Sequence, residues 1–174
     1  TTAIGLATNG NGNISSFTGS NTTPNSIVAI ITVTPTANGC IGPDSTFTIT
    51  VNPTPLTNAI ADQALCTNTA TNAINFASAT ATTTFSWTNN ATSIGLVANG
   101  NADIPSFTGL NAGVTPSVAT ITVVPSAGGC VGVAESFTIT VNPLPVVFAG
   151  NDITICEGDQ AILTASGALN YVWP

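Results

Sequence analysis

Phe47-Thr48-Ile49-Thr50-Val51-Asn52-Pro53 recurs unchanged as Phe137-Thr138-Ile139-Thr140-Val141-Asn142-Pro143. Each copy alternates apolar and polar side chains, with Phe47, Ile49 and Val51 on one side and Thr48 and Thr50 on the other. That period of two is the mark of a half-buried strand. Each copy ends on Asn-Pro, where proline's missing N–H stops a strand ladder.

Working outward, the match extends without a gap at a shift of 90 residues. Ile4-Gly5-Leu6 returns as Ile94-Gly95-Leu96, and Asn9-Gly10-Asn11 as Asn99-Gly100-Asn101. Ser16-Phe17-Thr18-Gly19 returns as Ser106-Phe107-Thr108-Gly109, Cys40 as Cys130, and Cys66 as Cys156. The period is long for a solenoid, whose units cannot fold alone, and suits a string of small self-contained domains. The Asn-Pro-x-Pro segments at Asn52–Pro55 and Asn142–Pro145 are the expected linkers, stiffened by paired prolines. Residues 56–145 are then one complete unit, 1–55 the back part of an earlier unit, and 146–174 the front part of a later one. The two partial units nearly complement each other, so the chain is expected to be about one two-domain period of a longer array.

The unit reads as all-β. Val118–Val123 alternates like the opening string, as do Phe85 with Trp87 and Tyr171 with Trp173. Turn pairs such as Asn9-Gly10, Asn38-Gly39, Gly128-Gly129 and Glu157-Gly158 separate the runs. Strands are expected near 58–66, 72–78, 83–88, 93–97, 105–109, 117–124 and 134–142, forming an antiparallel sandwich. No stretch has helical period. Trp87 is the expected core anchor, and Trp173 its counterpart in the next unit.

Composition removes whole classes of function. The 174 residues include no Lys, Arg or His and 7 acidic residues, for a net charge of -7. Without cations there is no phosphate clamp, nucleic-acid groove or patch for anionic lipid. Without His or Lys no base is at hand to activate the many Ser and Thr hydroxyls. Charged residues are only 4% of the chain and hydrophobic ones 43%, the opposite of a charge-driven disordered tail. The longest purely apolar run, Ile27–Ile31, is far short of the roughly 20 residues of a membrane span. There is no initiating Met or basic leader region, so no signal peptide is read here.

The residues carry a resemblance. FTITVNPxP, a Cys after Asn-Gly or Gly-Gly, Phe-x-Trp, Ile-Gly-Leu and Phe-Thr-Gly-x-Asn are similar to the PKD-like, immunoglobulin-like tandem repeats of giant surface adhesins secreted by the type IX system of Bacteroidota. Ile155-Cys156-Glu157-Gly158, followed by Ala161–Ala165 and Tyr171-Val172-Trp173, resembles related repeats of the same proteins. The resemblance spans essentially the whole chain. It implies tandem immunoglobulin-like β-sandwiches in an extended array at the cell surface, in adhesion or gliding motility, with neighbouring repeats and laterally associated copies as partners. It transfers no catalytic residue, cofactor or metal.

The four cysteines, Cys40, Cys66, Cys130 and Cys156, are disulfide candidates in a secreted repeat. Cys66 ends the first strand of its unit and Cys130 precedes the last. A strand of about eight residues spans roughly 27 Å, and a disulfide needs Cα atoms within about 7 Å. A staple between consecutive domains is therefore favoured, with an intradomain bond and free thiols left open. Asp152, Glu157 and Asp159 with Asn151 raise calcium at a junction. Calcium wants six to eight oxygens, and Thr67 and Thr69 replace two of these carboxylates in the middle unit, so turn residues are the simpler reading. Asn13-Ile14-Ser15, Asn21-Thr22-Thr23 and Asn90-Ala91-Thr92 fit the N-glycosylation pattern. Asp44-Ser45-Thr46 resembles the O-glycosylation signal of Bacteroidota.

The reading is a non-catalytic structural segment of an extracellular stalk or filament. A glycan-binding module would instead present exposed aromatics in a row, toward a polysaccharide the sequence does not identify. An accessory domain of a secreted hydrolase would accompany a catalytic domain.

Overall fold

The computed structural model describes residues 2–174. The middle unit is built on one sheet. Its strands are numbered after those of the first segment, which are β1 (Ile27–Val33), β2 (Thr36–Ala37), β3 (Cys40–Ile41) and β4 (Ser45–Val51). The middle unit follows with β5 (Gln63–Cys66), β6 (Thr84–Asn89), β7 (Asn99–Gly100), β8 (Ser117–Ala127), β9 (Cys130–Val131) and β10 (Glu135–Asn142). The order across the sheet is β5-β10-β8-β6-β7, with β9 folded back on the end of β8.

Alternation makes this sheet two-faced. From Ala119 in β8 and Phe137 in β10 onward every second residue is buried, among them Ile121, Val123, Phe137, Ile139 and Val141. Removing each such large side chain from water is worth roughly 1.5–3 kcal/mol. The opposing layer is irregular. Isolated bridges join Ala70 to Thr108 and Ile74 to Ile104, and Ile74, Phe76, Leu96 and Ile104 close the core with Trp87 and Ile94. The arrangement is consistent with a β-sandwich.

The first segment repeats the centre of that sheet alone. β1 and β4 pair antiparallel from Ile27–Val51 to Val33–Ser45, the register of β8 and β10 shifted by one period. They carry a small core of Ile4, Ala29 and Ile31. Residues 146–174 hold a single isolated bridge, Phe148 to Ser166, and almost all their side chains are exposed.

Five expectations need correction. The strand near 93–97 is instead one 3-10 turn, Thr92–Ile94, closed by Gly95 at φ 94°. Gly95 sits so close to the Thr108 carbonyl that a Cβ would overlap it, and the buried Asn89 amide donates to the Leu96 carbonyl at 3.0 Å. This satisfies backbone that a ladder would otherwise take up. The strands near 72–78 and 105–109 reduce to the isolated bridges. Of 58–66, only Gln63–Cys66 is regular.

Finally, the sandwich is not wholly antiparallel, because β5 pairs parallel to β10 from Gln63–Ile139 to Cys66–Asn142. The reason is where the chain enters. Pro55 is buried beside Gly132, at the β8–β9 hairpin end from which β10 also sets out. Two strands that start from the same end must run alongside each other.

Candidate functional site at the joint between repeats

Parallel β5 and β10 make the middle unit a through-passage: the chain enters at the hairpin end and leaves past Asn142 at the other. The entry is a built joint. β4 ends at Val51, and the next residue, Asn52, donates from Nδ2 to the Gly128 carbonyl at 2.7 Å while accepting from Ser26 Oγ at 2.8 Å. Pro53 and Pro55 are both buried. A Cβ on Gly132 would overlap the Pro55 carbonyl oxygen, so glycine is what allows the linker to lie on the hairpin. The hairpin turn itself, Gly128-Gly129, uses φ values of 56° and 81°, which glycine adopts without Cβ strain. At the exit Pro143 is half-buried and Pro145 is exposed.

The cysteines are placed relative to these joints. All four are free thiols. Cys66 lies opposite Asn142 at the exit end, and Cys130 lies opposite Ala127 in the entry hairpin. The full length of β10 separates them, so the structure does not bring them together within the unit. Cys40 occupies the corresponding hairpin of the first segment, opposite Ala37.

Repeated polar residues brace the units. Asp62 Oδ1 accepts from the Thr138 N–H, tying the start of β5 to β10. Asp152 stands at the equivalent position one period on. Asn21 Nδ2 donates to the Asn25 and Val51 carbonyls, each at 2.8 Å. Its repeat partner Asn111 does the same to Thr115 and Val141 at 2.8 and 2.7 Å. Asn90 Oδ1 accepts from the Thr120 N–H at 2.8 Å. Two of the three glycosylation sequons thus have structurally engaged amides, and Asn13 is exposed. Asp44 Oδ1 accepts from Thr34 Oγ1 at 2.6 Å, while Ser45 and Thr46 are exposed. Asp159 Oδ2 accepts from the Cys156 N–H at 3.2 Å. Among the described residues no three acidic or cysteine side chains converge on a point that would hold a metal ion.

The two anchor residues part company. Trp87 is 6% exposed, in the core, with Nε1 donating to the Ala102 carbonyl at 2.8 Å. Trp173 is 56% exposed, because the strands that would flank it are not beside it. Asn99-Gly100-Asn101 is more than a turn: a Cβ on Gly100 would overlap the Trp87 indole, so the repeated glycine is the seat of the ring. Sequence reasoning missed this seat and the Asn52 latch. The period could have exposed both, because Gly10, Gly100, Asn52 and Asn142 recur in register.

The surface offers little to a small ligand. Two depressions, one beside Trp87 and Gly100 and one at the joint around Asn52 and Gly128, hold about 260 and about 150 Å³. Small-molecule pockets hold roughly 300–1,000 Å³. In the middle unit no aromatic side chain is exposed. No protein-family model matches the chain, and no curated protein matches it in sequence.

Proposed function

We propose that this chain is a non-catalytic structural segment, a run of immunoglobulin-like, PKD-like sandwiches forming the extended stalk or filament of a large extracellular adhesin of Bacteroidota. The single observation that carries the reading is the direction of the chain through the middle unit. Entry at the hairpin and exit past Asn142 lie at opposite ends, so units joined this way add length rather than bulk. The linker supports it, with Pro53 and Pro55 buried and Asn52 latched to Gly128, because a buried proline joint resists bending. The task is mechanical: to hold a distal tip away from the cell surface. Cell-surface adhesion and gliding motility belong to this reading through the family resemblance.

Small-angle scattering of a chain of several repeats tests it. A maximum dimension growing in proportion to repeat number supports a stalk. A dimension that levels off, or saturable binding of a polysaccharide by residues 56–145, would replace it with a compact module or a glycan binder.

A further inference from the structure

The first and last strands of the middle unit, β5 and β10, lie side by side and run parallel. The chain comes in at the start of β5 and goes out at the end of β10. These points lie at opposite ends of the pair, because Gln63 faces Ile139 and Cys66 faces Asn142. A pull along the chain therefore drags the two strands past each other in opposite directions. All the bonds across the four register pairs carry that load together, so none opens ahead of the rest. A pair loaded from one end only would open bond by bond, at the force one bond can bear.

Bonds beyond the ladder close the pair at both ends. At the entry end Asp62 Oδ1 accepts from the Thr138 N–H at 2.6 Å. At the exit end the Thr67 N–H donates to the Asn142 carbonyl at 2.8 Å. Asn111 braces that end from the side, its N–H donating to Thr67 Oγ1 at 2.9 Å and its Nδ2 to the Val141 carbonyl at 2.7 Å. Leu65 and Val141 pack so tightly on Gly109 that a Cβ there would press on both. This packing keeps water, the competing hydrogen-bond partner, from the loaded bonds.

What lies in line before and after the pair is weaker. Upstream, the Asn52 latch and the Asn58 N–H bond to the Ala77 carbonyl are single bonds, each broken alone. Once β5 slides off, the inbound load reaches Thr67, beside Asn142 at the exit end. Both loaded points then share one end, and β10 peels from β8 rung by rung, from Val141–Ser117 toward Glu135–Val123. We propose that β5 and β10 form a shear clamp that sets the force at which the unit opens, with Asp62 as the lock at its entry end. The clamp rests on the stalk reading only for its use, since its geometry belongs to one unit.

Single-molecule pulling of the full 174-residue chain in two directions tests the clamp. Handles on the two chain ends load the pair in shear. The expected result is one sharp rupture releasing ~270 Å, residues 63–142 at roughly 3.5 Å each less the folded span. For the second direction Cys40, Cys130 and Cys156 are changed to Ser, and one handle moves to the exposed thiol of Cys66. Load then enters at Cys66 and leaves at the C-terminus, both at the exit end, and the same bonds peel. The rupture force is expected to fall by roughly half or more, because forced unfolding follows the barrier along the loaded direction. Asp62→Ala is expected to weaken the unit in shear and not in peeling, where its bond is the last reached, and Asp62→Asn, which keeps the acceptor oxygen, to retain most of the shear force. Equal forces in the two directions overturn the proposal. So does an Asp62→Ala loss of the same size in both, which would make the carboxylate a general stabiliser. Scattering of the repeat array judges the stalk separately, so a long array of units that open at the same force in either direction keeps the stalk and removes the clamp.

Discussion

Phe47 and Phe137 stand in the same seven-residue string, on strands paired in the same register, yet one is 46% exposed and the other 2%. Val33 and Val123 differ in the same way, at 47% and 0%, and Ile14 and Ile104 at 47% and 1%. The residue is the same in each pair, and for Phe47 and Phe137 the surrounding string is the same as well. What differs is the layer contributed by residues 56–92, which covers the middle unit; among the described residues none covers 4–55 in the same way. Even the two-stranded centre of the first segment packs on Ile4, with Leu6 and Phe17 beside it. The core needs the opposing layer, and most of the stability of the unit resides there.

The largest test of this contrast is at the anchors. Trp87→Ala should cost the middle unit roughly 3–5 kcal/mol, near the upper end because the Nε1 hydrogen bond to Ala102 goes as well. Trp173→Ala, at a side chain already 56% exposed, should leave the urea midpoint of the middle unit unchanged. Denaturation followed by circular dichroism reads both. Equal effects would mean that Trp173 is already packed.

A smaller effect is expected at the paired glycines. Gly100→Ala forces a methyl into the Trp87 ring and should cost about 1–3 kcal/mol, as overpacking does. Gly10→Ala meets open space, and its melting temperature should match that of the parent.

Position 57 sharpens the comparison from the other side. Thr57 Oγ1 is buried without a hydrogen-bond partner, whereas the repeat-equivalent residue in the bare segment is Val147. Thr57→Val should stabilise the middle unit by about 1 kcal/mol, since an unsatisfied buried hydroxyl is costly. A lower melting temperature for this variant would argue for a hydroxyl that is in fact satisfied.

The smallest effect concerns the joint. Asn52→Ala loses the hydrogen bond to Gly128, roughly 0.5–1.5 kcal/mol, and should speed amide exchange at the hairpin turn. Asn142→Ala lacks that partner at the exit and should leave hairpin exchange as it was.

Much of this was legible in advance. The alternation of Phe137, Ile139 and Val141 marks the inward face of β10, and Phe-x-Trp marks the strand carrying the anchor. The separation of Cys66 from Cys130 followed from strand length. Other features gave no such signal. Isolated bridges at Ala70 and Ile74 look like strands in sequence, because bridging and ladder residues have the same alternation. The turn at Thr92–Ile94 is too short to develop a helical period. The seat for the indole at Gly100 was hidden because a glycine within Asn-Gly-Asn is equally well explained by a turn.

The amino-acid order alone determined that the chain is β-structured, lacks any cationic side chain, and repeats every 90 residues, because side-chain alternation and self-similarity are local properties of the string. Only the tertiary structure decided that β5 runs parallel to β10, that the linker is buried on a glycine hairpin, and which copy of each apolar residue is covered. Those outcomes depend on which surfaces meet across the sheet, and identical strings meet different neighbours.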